Sequence, residues 1–379
     1  MSFRTPWRAV TAMFVLNGAL YGIWASRIPS IAQTHDLSAG KLGLLLLLLA
    51  GGAVVAFPLA GRAADRFGAS FVTLRLALIY TVTLILIGLA PSVGLLALAL
   101  FAFGAAHGAM DVTMNAWAAE VERHMARPVM SSFHAMFSLG AGLGAGSGFV
   151  AGHLHFSVPL HFSVAALTIA ALMLALGWIP WRSPRRAAQT SDPVFAFPRG
   201  ALIAVGLVAF CTSLGEGAMA DWSAIYLVEM TRVDEARAAL GYTVFSITMV
   251  IMRLLGDHVT RRIGPVAAAR FAGVVSLCGT LIVVGWPSFG WVLFGFALLG
   301  IGYAMVMPLA FSRAANDPDL APGAAIASVA TLGYGGLLLG PPVIGFIADL
   351  VSLRAGFGLL AVLSLCLIVM ARAVRAPAQ

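Results

Sequence analysis

Long apolar segments alternate with short polar ones along the whole chain. Each apolar segment has about 20 residues or more, the length that an α-helix needs to cross the hydrocarbon core of a bilayer. Apolar residues follow one another without the alternation of period two that a membrane barrel requires, so helices are favoured. We therefore predict about twelve transmembrane helices, at residues 7–30, 41–60, 70–90, 93–118, 131–152, 159–180, 200–229, 239–256, 266–286, 288–313, 324–348 and 355–374.

Composition turns this pattern into a fold class. The chain has 379 residues, of which 60% are hydrophobic and 10% are charged. Soluble domains carry about 25% charged residues. A soluble chain of this length could not cover so much apolar surface, because a folded protein keeps a large exposed area. In a bilayer, helices satisfy their own backbone polar groups. The sequence thus predicts an all-α membrane protein.

The positive charge is placed unevenly along the polar segments. The net charge is +8 and, if each predicted helix crosses the membrane once, most of the 23 lysine and arginine residues, Arg253 among them, fall on one side. An excess of positive charge marks the cytoplasmic side. We therefore expect a multi-pass protein of a bacterial-type inner (cytoplasmic) membrane with both termini in the cytoplasm. We attribute the charge to the membrane and predict no nucleic-acid partner.

One segment near the midpoint of the chain differs from the rest. Residues 181–199, WRSPRRAAQTSDPVFAFPR, combine arginine, serine and proline and are only weakly hydrophobic. We interpret them as a cytoplasmic linker. The linker would join an N-terminal six-helix bundle at residues 1–180 to a C-terminal six-helix bundle at residues 200–379.

The two halves resemble each other. Gly68 recurs as Gly264, and at nearly the same offset Asn17 in the first predicted helix corresponds to Glu216 in the seventh, each followed by Gly-Ala. Six-helix repeats are typical of secondary transporters, whose substrate site lies at the repeat interface near the middle of the membrane. This predicts two pseudo-symmetric bundles, with Asn17 and Glu216 facing each other across a central cavity.

The segment Gly61–Gly68, GRAADRFG, resembles the G-x-x-x-D-R-x-G loop signature of the major facilitator superfamily. It follows the second predicted helix, and Ala69-Ser70 replace the basic pair that usually comes after the signature. The resemblance implies the major facilitator fold and a conformational latch formed by Gly61, Asp65, Arg66 and Gly68. An ordinary charged turn is the alternative interpretation.

The fourth predicted helix carries a polar stripe. His107, Asp111 and Asn115, flanked by Gly104 and Gly108, are spaced by three and four residues and share one helix face. A carboxylate inside a membrane is costly and usually functional, so the stripe suits the wall of a water-filled cavity and Asp111 is a candidate proton carrier. The alternative is an Asp111 that is merely paired or faces a loop.

The seventh and first predicted helices supply further candidates. Glu216 lies in the middle of an apolar run, which suits reversible protonation; a structural glutamate bonded to a neighbouring helix is the alternative. Asn17, Tyr21 and Trp24 share one face of the first helix. We predict that they bind substrate together with His107, Asn115 and Tyr303 of the tenth helix. Arg27 is expected to snorkel or form an ion pair, with binding of an anion as the alternative.

A resemblance to a narrower family rests on the residues around the fourth and fifth helices. GAMDVTMN at 108–115, Val121-Glu122-Arg123, MSSFHAMFSLG at 130–140 and WASRIP at 24–29 are similar to the MosC-like branch of the major facilitator superfamily. That branch includes a protein associated with rhizopine, an inositol derivative. It is distantly similar to fucose–proton symporters, whose fourth helix carries an acidic residue four before an asparagine. The resemblance implies that Asp111 is the first choice for proton coupling.

Other chemistry finds no support in the sequence. The three cysteines, at positions 211, 278 and 366, lie in apolar runs, and neither metal-ligand spacing nor a nucleotide-binding or nucleophile motif is present. We therefore predict a protein that is not an enzyme and has no cofactor or metal. We expect it to act as a monomer.

These observations lead to one leading hypothesis and two alternatives. The leading hypothesis is a secondary active transporter that takes up a small sugar-like or cyclitol-like solute by proton symport and alternating access. A proton-driven exporter of drugs or metabolites is the first alternative, and a non-transporting membrane sensor on a transporter scaffold is the second. The partners would be the solute, protons and the lipid bilayer. Substrate identity, direction and stoichiometry do not follow from the sequence.

Overall fold

The computed structural model describes residues 5–126, 129–183, 198–320 and 322–375. Within these ranges it contains helices and no strand, which confirms the all-α prediction. Residues 184–197, most of the predicted linker, lie outside the described residues.

The helices follow one another along the chain. They are α1 (Pro6–Ser26), α2 (Ile28–Thr34), α3 (Ala39–Phe67), α4 (Ala69–Gly88), α5 (Val93–Met125), α6 (Met130–His153), α7 (Val158–Gly177), α8 (Ala201–Thr231), α9 (Glu235–Ala238), α10 (Leu240–Ile263), α11 (Pro265–Gly285), α12 (Phe289–Tyr303), α13 (Val306–Ala315), α14 (Pro322–Leu350) and α15 (Leu353–Met370), with a short 3-10 helix at Ala371–Val374.

Twelve stretches of the described residues are long and apolar enough to cross a membrane, as predicted. Two predicted helices are interrupted. The first ends at Ser26 and resumes as α2 beyond Arg27, and Ala304 and Met305 divide the tenth into α12 and α13. Serine hydroxyls mark other helix starts: Ser92 accepts from the Leu95 amide at 3.4 Å and so caps α5.

Two glycines that correspond in the halves have the same backbone role. Gly68 (φ 94°) immediately precedes α4 and Gly264 (φ 82°) immediately precedes α11. L-residues rarely adopt these angles, so a glycine lets the chain reverse within one residue. The repeat found in the sequence therefore marks two equivalent turns between consecutive helices.

The interpretation of Gly61–Gly68 as a loop was wrong. α3 continues through Phe67, so the segment forms the last two turns of a helix and only Gly68 lies outside it. The physical reason is that Ala63 and Ala64 favour a helix and no residue before Gly68 breaks it. The apolar run ends near residue 60, but the helix does not.

The chain forms two compact units. Unit 1 comprises Met1–Asp36, Leu45–Val194 and Glu235–Thr243, and unit 2 comprises Leu37–Leu44, Phe195–Asp234 and Val244–Gln379. Each unit thus takes most of its residues from one half of the sequence and a short segment from the other. We call Glu235–Thr243 and Leu37–Leu44 the exchanged segments.

Close packing through glycine holds the helices of each unit together. In unit 1, α1 and α6 approach so closely that a Cβ at Gly18 would overlap the carbonyl oxygen of Phe137. In unit 2, a Cβ at Gly336 of α14 would overlap the carbonyl oxygen of Phe210 in α8. Small residues permit such backbone contact between membrane helices.

The exchanged segments also pack closely through glycine residues. Gly152 of α6 lies against Ala236, with 2.9 Å between the position of an added Cβ and the Ala236 Cα atom. In unit 2, the position of a Cβ at Gly43 lies 3.2 Å from the Pro342 Cα atom. Each exchanged segment therefore packs directly against the backbone of a helix in its unit.

Candidate functional site

Around α1, unit 1 contains buried polar atoms that have no hydrogen-bond partner among the described residues. Asn17 and Trp24 are fully buried, and neither amide atom of Asn17 nor the indole Nε1 of Trp24 has a hydrogen-bond partner in the described part of the chain. Tyr21, one turn after Asn17, is half-buried. Gly18 and Gly22 face α6, which leaves these three side chains on the other faces of α1.

Aromatic rings from α1, α4 and α5 surround His107. Its ring centroid lies 5.1 Å from that of Tyr21 and 5.4 Å from that of Tyr80, and Tyr80 lies 4.7 Å from Phe103. His107 Nδ1 and the Tyr80 hydroxyl are buried, and within the described ranges they have no hydrogen-bond partner. We call Tyr21, Tyr80, Phe103 and His107 the His107 cluster.

Tyr80 was not among the site residues predicted from the sequence. A phenol in the middle of an apolar run is a usable signal, because a buried hydroxyl normally finds a partner. Its neighbours, however, come from other helices. Only the packing of α4 on α5 places Tyr80 beside His107.

Unpartnered buried polar atoms are unfavourable. Each costs about 1–3 kcal/mol when it stays unsatisfied. Five such atoms, from Asn17, Trp24, Tyr80 and His107, belong to one unit. Water or the hydroxyl groups of a solute would satisfy them, whereas an apolar ligand would not.

Asp111 lies one turn beyond His107 on α5. The side-chain Nδ2 of Asn115 donates to Asp111 Oδ1 at 3.1 Å and to the Asp111 carbonyl oxygen at 2.9 Å. Both residues are half-buried. Asp111 is thus paired with Asn115, in line with the alternative interpretation that it is a paired carboxylate. Its role in proton coupling stays a prediction.

In unit 2, Glu216 forms an ion pair that was not predicted. Arg253 Nη2 lies 3.4 Å from Glu216 Oε2, and within the described residues Glu216 Oε1 has no hydrogen-bond partner. We counted Arg253 among the arginines of the cytoplasmic side, although it falls inside the predicted helix at 239–256, and it lies about half-way along α10. The signal was present, since Arg253 stands between apolar pairs in the sequence Ile-Met-Arg-Leu-Leu.

Tyr303 packs against Gly215, the residue before Glu216. It is the last residue of α12, is 1% exposed, and its ring lies against Gly215, where no Cβ would fit. The structure thus pairs Glu216 with Arg253 and places Tyr303 against Gly215 in unit 2, and it brings Tyr21 and His107 together in unit 1. The expected juxtaposition of Asn17 with Glu216 stays a prediction.

The predicted latch residues lie at the end of α3. Asp65 and Arg66 are exposed, Gly68 is buried, and no described atom lies within 4 Å of a Cβ placed at Gly61. Their role as a latch stays a prediction. The Ser183 Cβ lies 3.1 Å from the position of a Cβ at Gly68, so the start of the linker contacts this motif.

Glu120 fixes that start of the linker. Its Oε2 accepts from Trp181 Nε1 at 2.9 Å and from the Ser183 hydroxyl at 2.7 Å, and Ser183 Oγ accepts from the Ser70 amide at 3.1 Å. We call Ser70, Glu120, Trp181 and Ser183 the linker clamp. Ser70 occupies one of the two positions where the signature usually has basic residues.

Arg27 forms an ion pair and does not snorkel. It is 5% exposed, its Nε lies 3.3 Å from Glu235 Oε1, and its Nη2 donates to the Phe156 carbonyl at 3.0 Å. Glu235 also accepts a bond from the Ser30 hydroxyl. The ion pair therefore ties an exchanged segment to α1 and α2 within unit 1. Among the described residues, no group of three metal-ligating side chains occurs.

Comparison with known proteins identifies the family to which this chain belongs. The family model of the Major Facilitator Superfamily matches residues 9–334. The uncharacterized transporter y4wD of Sinorhizobium fredii is 44% identical over 353 residues, covering 93% of this chain and 94% of that protein. The membrane protein MosC of Rhizobium meliloti is 32% identical over 347 residues, covering 91% and 84%.

Solved structures share the fold. The nucleoside transporter NupG superposes with a TM-score of 0.71 at 15% identity and covers 97% of both chains. A bacterial homolog of the human lysosomal transporter Spinster, in an inward-facing and unoccupied conformation, gives 0.73 at 15% identity over 98% of both chains. The family and its members are transporters and not enzymes, as predicted. The chain is a multi-pass membrane protein that belongs to the major facilitator superfamily of transporters.

Proposed function

We propose that this transporter takes up a small sugar-like or cyclitol-like solute by proton symport through alternating access. It would work as a monomer in a bacterial inner membrane with both termini in the cytoplasm. The observation that carries the proposal is the set of buried polar atoms of Asn17, Trp24, Tyr80 and His107 in unit 1 that have no hydrogen-bond partner in the described part of the chain.

The chemistry of these atoms favours a hydroxylated solute. Asn17 offers both a donor and an acceptor, and a solute hydroxyl can meet either. The rings of the His107 cluster offer apolar faces beside these groups, which suits a compact ring that carries hydroxyls on its edge. Binding would then remove the cost of leaving the buried atoms unsatisfied.

Two carboxylates are candidates for the proton site. Glu216 lies within a span, is paired with Arg253 and has one oxygen without a hydrogen-bond partner among the described residues. Asp111 has Asn115 as a partner on its own helix and is favoured by the resemblance to fucose–proton symporters. Ionisable groups inside a membrane usually belong to transport pathways, which supports both.

The test is uptake by purified protein in liposomes with an imposed pH gradient, acid outside. D-galactose, myo-inositol, D-galacturonate and D-glucuronate serve as labelled probes. We expect gradient-driven accumulation of at least one probe, and its loss in Asp111→Asn or Glu216→Gln. The exposed Asp319→Asn is the matched control and should behave as wild type.

Three outcomes would contradict the proposal. Gradient-driven accumulation that survives in both carboxylate variants would exclude these two proton sites. Accumulation of none of the probes would exclude this solute class. If the solute moves only outward while protons move inward, the protein is an exporter.

A further inference from the structure

An open cleft of unit 2 carries two arginine side chains. Its volume is about 560 Å³, and it is lined by residues 263–267, Arg270 and Arg375. Residues 263–267 form the turn from α10 into α11, and Arg375 follows the 3-10 helix that packs on α11. Because α10, α11 and α15 belong to three candidate membrane spans, the cleft lies where these spans meet a membrane surface.

The positive charge of the cleft has no partner in the described part of the chain. Arg270 and Arg375 are exposed, and within the described ranges neither guanidinium forms a hydrogen bond or an ion pair. Arg261 and Arg262, in the last turn of α10, are exposed as well. None of the lining residues is acidic. Since arginine stays ionised at physiological pH, the cleft holds a permanent charge that its own lining does not balance.

The corresponding turn in unit 1 is covered by the chain itself. The Ser183 Cβ lies 3.1 Å from the position of a Cβ at Gly68, and the linker clamp holds Ser183 through the carboxylate of Glu120. At Gly264, the counterpart of Gly68, no described atom lies within 4 Å of that position. Unit 1 thus closes this turn with a segment and a carboxylate of its own, whereas unit 2 leaves it open beside two arginines.

The exposed face of α11 is apolar beyond Arg270. Phe271, Val274 and Leu281 are exposed and follow Arg270 at helical spacing along one side of the helix. From Phe271 to Leu281 the helix rises about 15 Å, which is half of the roughly 30 Å thickness of the hydrocarbon core of a bilayer. A ligand with an anionic group and apolar chains one leaflet long would match both parts. A soluble anion would use only the cleft.

We propose that this cleft binds the headgroup of an anionic phospholipid. Arg270 and Arg375 would hold the phosphate, and the acyl chains would lie along the exposed face of α11. Charge complementarity carries the inference, since basic pockets between spans on the cytoplasmic side of membranes recognise anionic headgroups. The proposed orientation puts the cleft on that side. The inference concerns a lipid and not the transported solute, so it does not depend on the proposed uptake.

The first test counts the lipids bound to purified, delipidated, full-length protein by native mass spectrometry. Phosphatidylglycerol is the anionic probe, and phosphatidylethanolamine with the same acyl chains is the zwitterionic one. Wild type should bind the first phosphatidylglycerol about tenfold or more tightly than phosphatidylethanolamine. R270Q/R375Q should lose this preference. The matched control R75Q/R123Q removes the same charge from exposed arginines of unit 1 and should keep the preference.

A second measurement locates the bound lipid. Ala267 lines the cleft and is exposed, so the variant A267C offers a thiol to a water-soluble maleimide. Phosphatidylglycerol should slow this labelling, and phosphatidylethanolamine should not. Glycerol 3-phosphate, which has the phosphate without acyl chains, should protect the thiol far less. Wild type, with its three native cysteines, gives the background labelling.

Three results would overturn the proposal. Equal binding of the two lipids, or a preference that R270Q/R375Q retains, would remove these arginines from the site. An equal loss in R75Q/R123Q would mean that the lipid responds to the overall positive charge and not to this cleft. Protection of A267C by glycerol 3-phosphate as strong as that by phosphatidylglycerol would mean a site for a soluble anion. Loss or retention of solute uptake decides none of these outcomes.

Discussion

Gly68 shows what a single residue contributes to this fold. Its φ of 94° reverses the chain between α3 and α4, and the position of its missing Cβ lies 3.1 Å from Ser183. Gly61 in the same motif has neither constraint, because it is helical and no described atom lies within 4 Å of its Cβ position. The two glycines of one motif therefore differ in what they permit.

Gly68→Ala and Gly61→Ala should change stability in opposite directions. Alanine at Gly68 adopts a strained backbone conformation, which costs about 1–3 kcal/mol. Alanine at Gly61 replaces a helical glycine and gains about 0.5–1 kcal/mol. Thermal unfolding in detergent measures both. Equal destabilisation by the two variants would contradict the assignment of the turn to Gly68.

Tyr80 and Tyr226 are a second matched comparison, because they differ in whether the hydroxyl group has a hydrogen-bond partner. Both are fully buried, but within the described ranges the Tyr80 hydroxyl has no partner, whereas that of Tyr226 donates to the Val283 carbonyl at 2.8 Å. Tyr226→Phe should lose about 0.5–1.5 kcal/mol, while Tyr80→Phe should cost nothing or stabilise.

Thermal shift measures both tyrosine variants, and the solute provides the second measurement. If the Tyr80 hydroxyl forms a hydrogen bond with the bound solute, the Tyr80→Phe variant should bind the solute less tightly. The Tyr226→Phe variant should bind it as wild type does. A Tyr80→Phe protein as destabilised as Tyr226→Phe would mean that the hydroxyl already has a partner.

The helices and their connections form the next scale. The linker clamp holds the first residues after α7 against the ends of α4 and α5, through Glu120 and the indole of Trp181. His124 adds an edge-on ring contact to Trp181 at 5.3 Å. The connection between the halves of the sequence therefore begins as an ordered part of unit 1.

Glu120→Gln should lower the free energy of unfolding by about 1.5–3 kcal/mol, because two donors lose a charged acceptor. Trp181→Phe removes one of those donors. The two changes should be less than additive in a double-mutant cycle, since they act on the same bond. The exposed Glu229→Gln is the control. Strict additivity would contradict a shared contact.

The number of helices could be predicted because each span needs its own apolar run. Their ends could not, since α3 and α10 continue beyond the apolar residues as far as Phe67 and Ile263. This is why the motif at Gly61 looked like a loop. The contacts between side chains of different helices could not be predicted either. Tyr80 and His107, for example, come from two helices, and no local sequence pattern shows that these helices pack together.

At the scale of the whole molecule, the exchanged segments are the distinctive feature. Glu235–Thr243 belongs to unit 1 through the Arg27–Glu235 ion pair and its contacts with α6. Leu37–Leu44 belongs to unit 2, where the Ser38 hydroxyl donates to Asp349 Oδ2 at 3.3 Å. Alternating access in the proposed cycle requires such contacts to open and close.

A disulfide across one of these contacts should stop transport. A Cβ at Gly146 would lie 3.7 Å from both Thr243 Cγ2 and Thr243 Oγ1, the kind of position that the sulfur of a cysteine at 243 would occupy, so two cysteines here lie near bonding distance. The double variant G146C/T243C should lose solute uptake on oxidation and regain it on reduction. Each single variant, with the three native cysteines present, is the control. Undiminished uptake by the cross-linked protein would show that this contact never opens.

The exchange also constrains how the protein is made. Unit 1 includes residues up to Thr243, so the ribosome must synthesise well past the midpoint before that unit has all its parts. Unit 2 in turn needs Leu37–Leu44, which was inserted into the membrane among the first helices. Neither half can therefore finish assembly alone during translation. A nascent chain halted within the linker would lack Glu235–Thr243, a part of unit 1, and would hold Leu37–Leu44 before the rest of unit 2 exists.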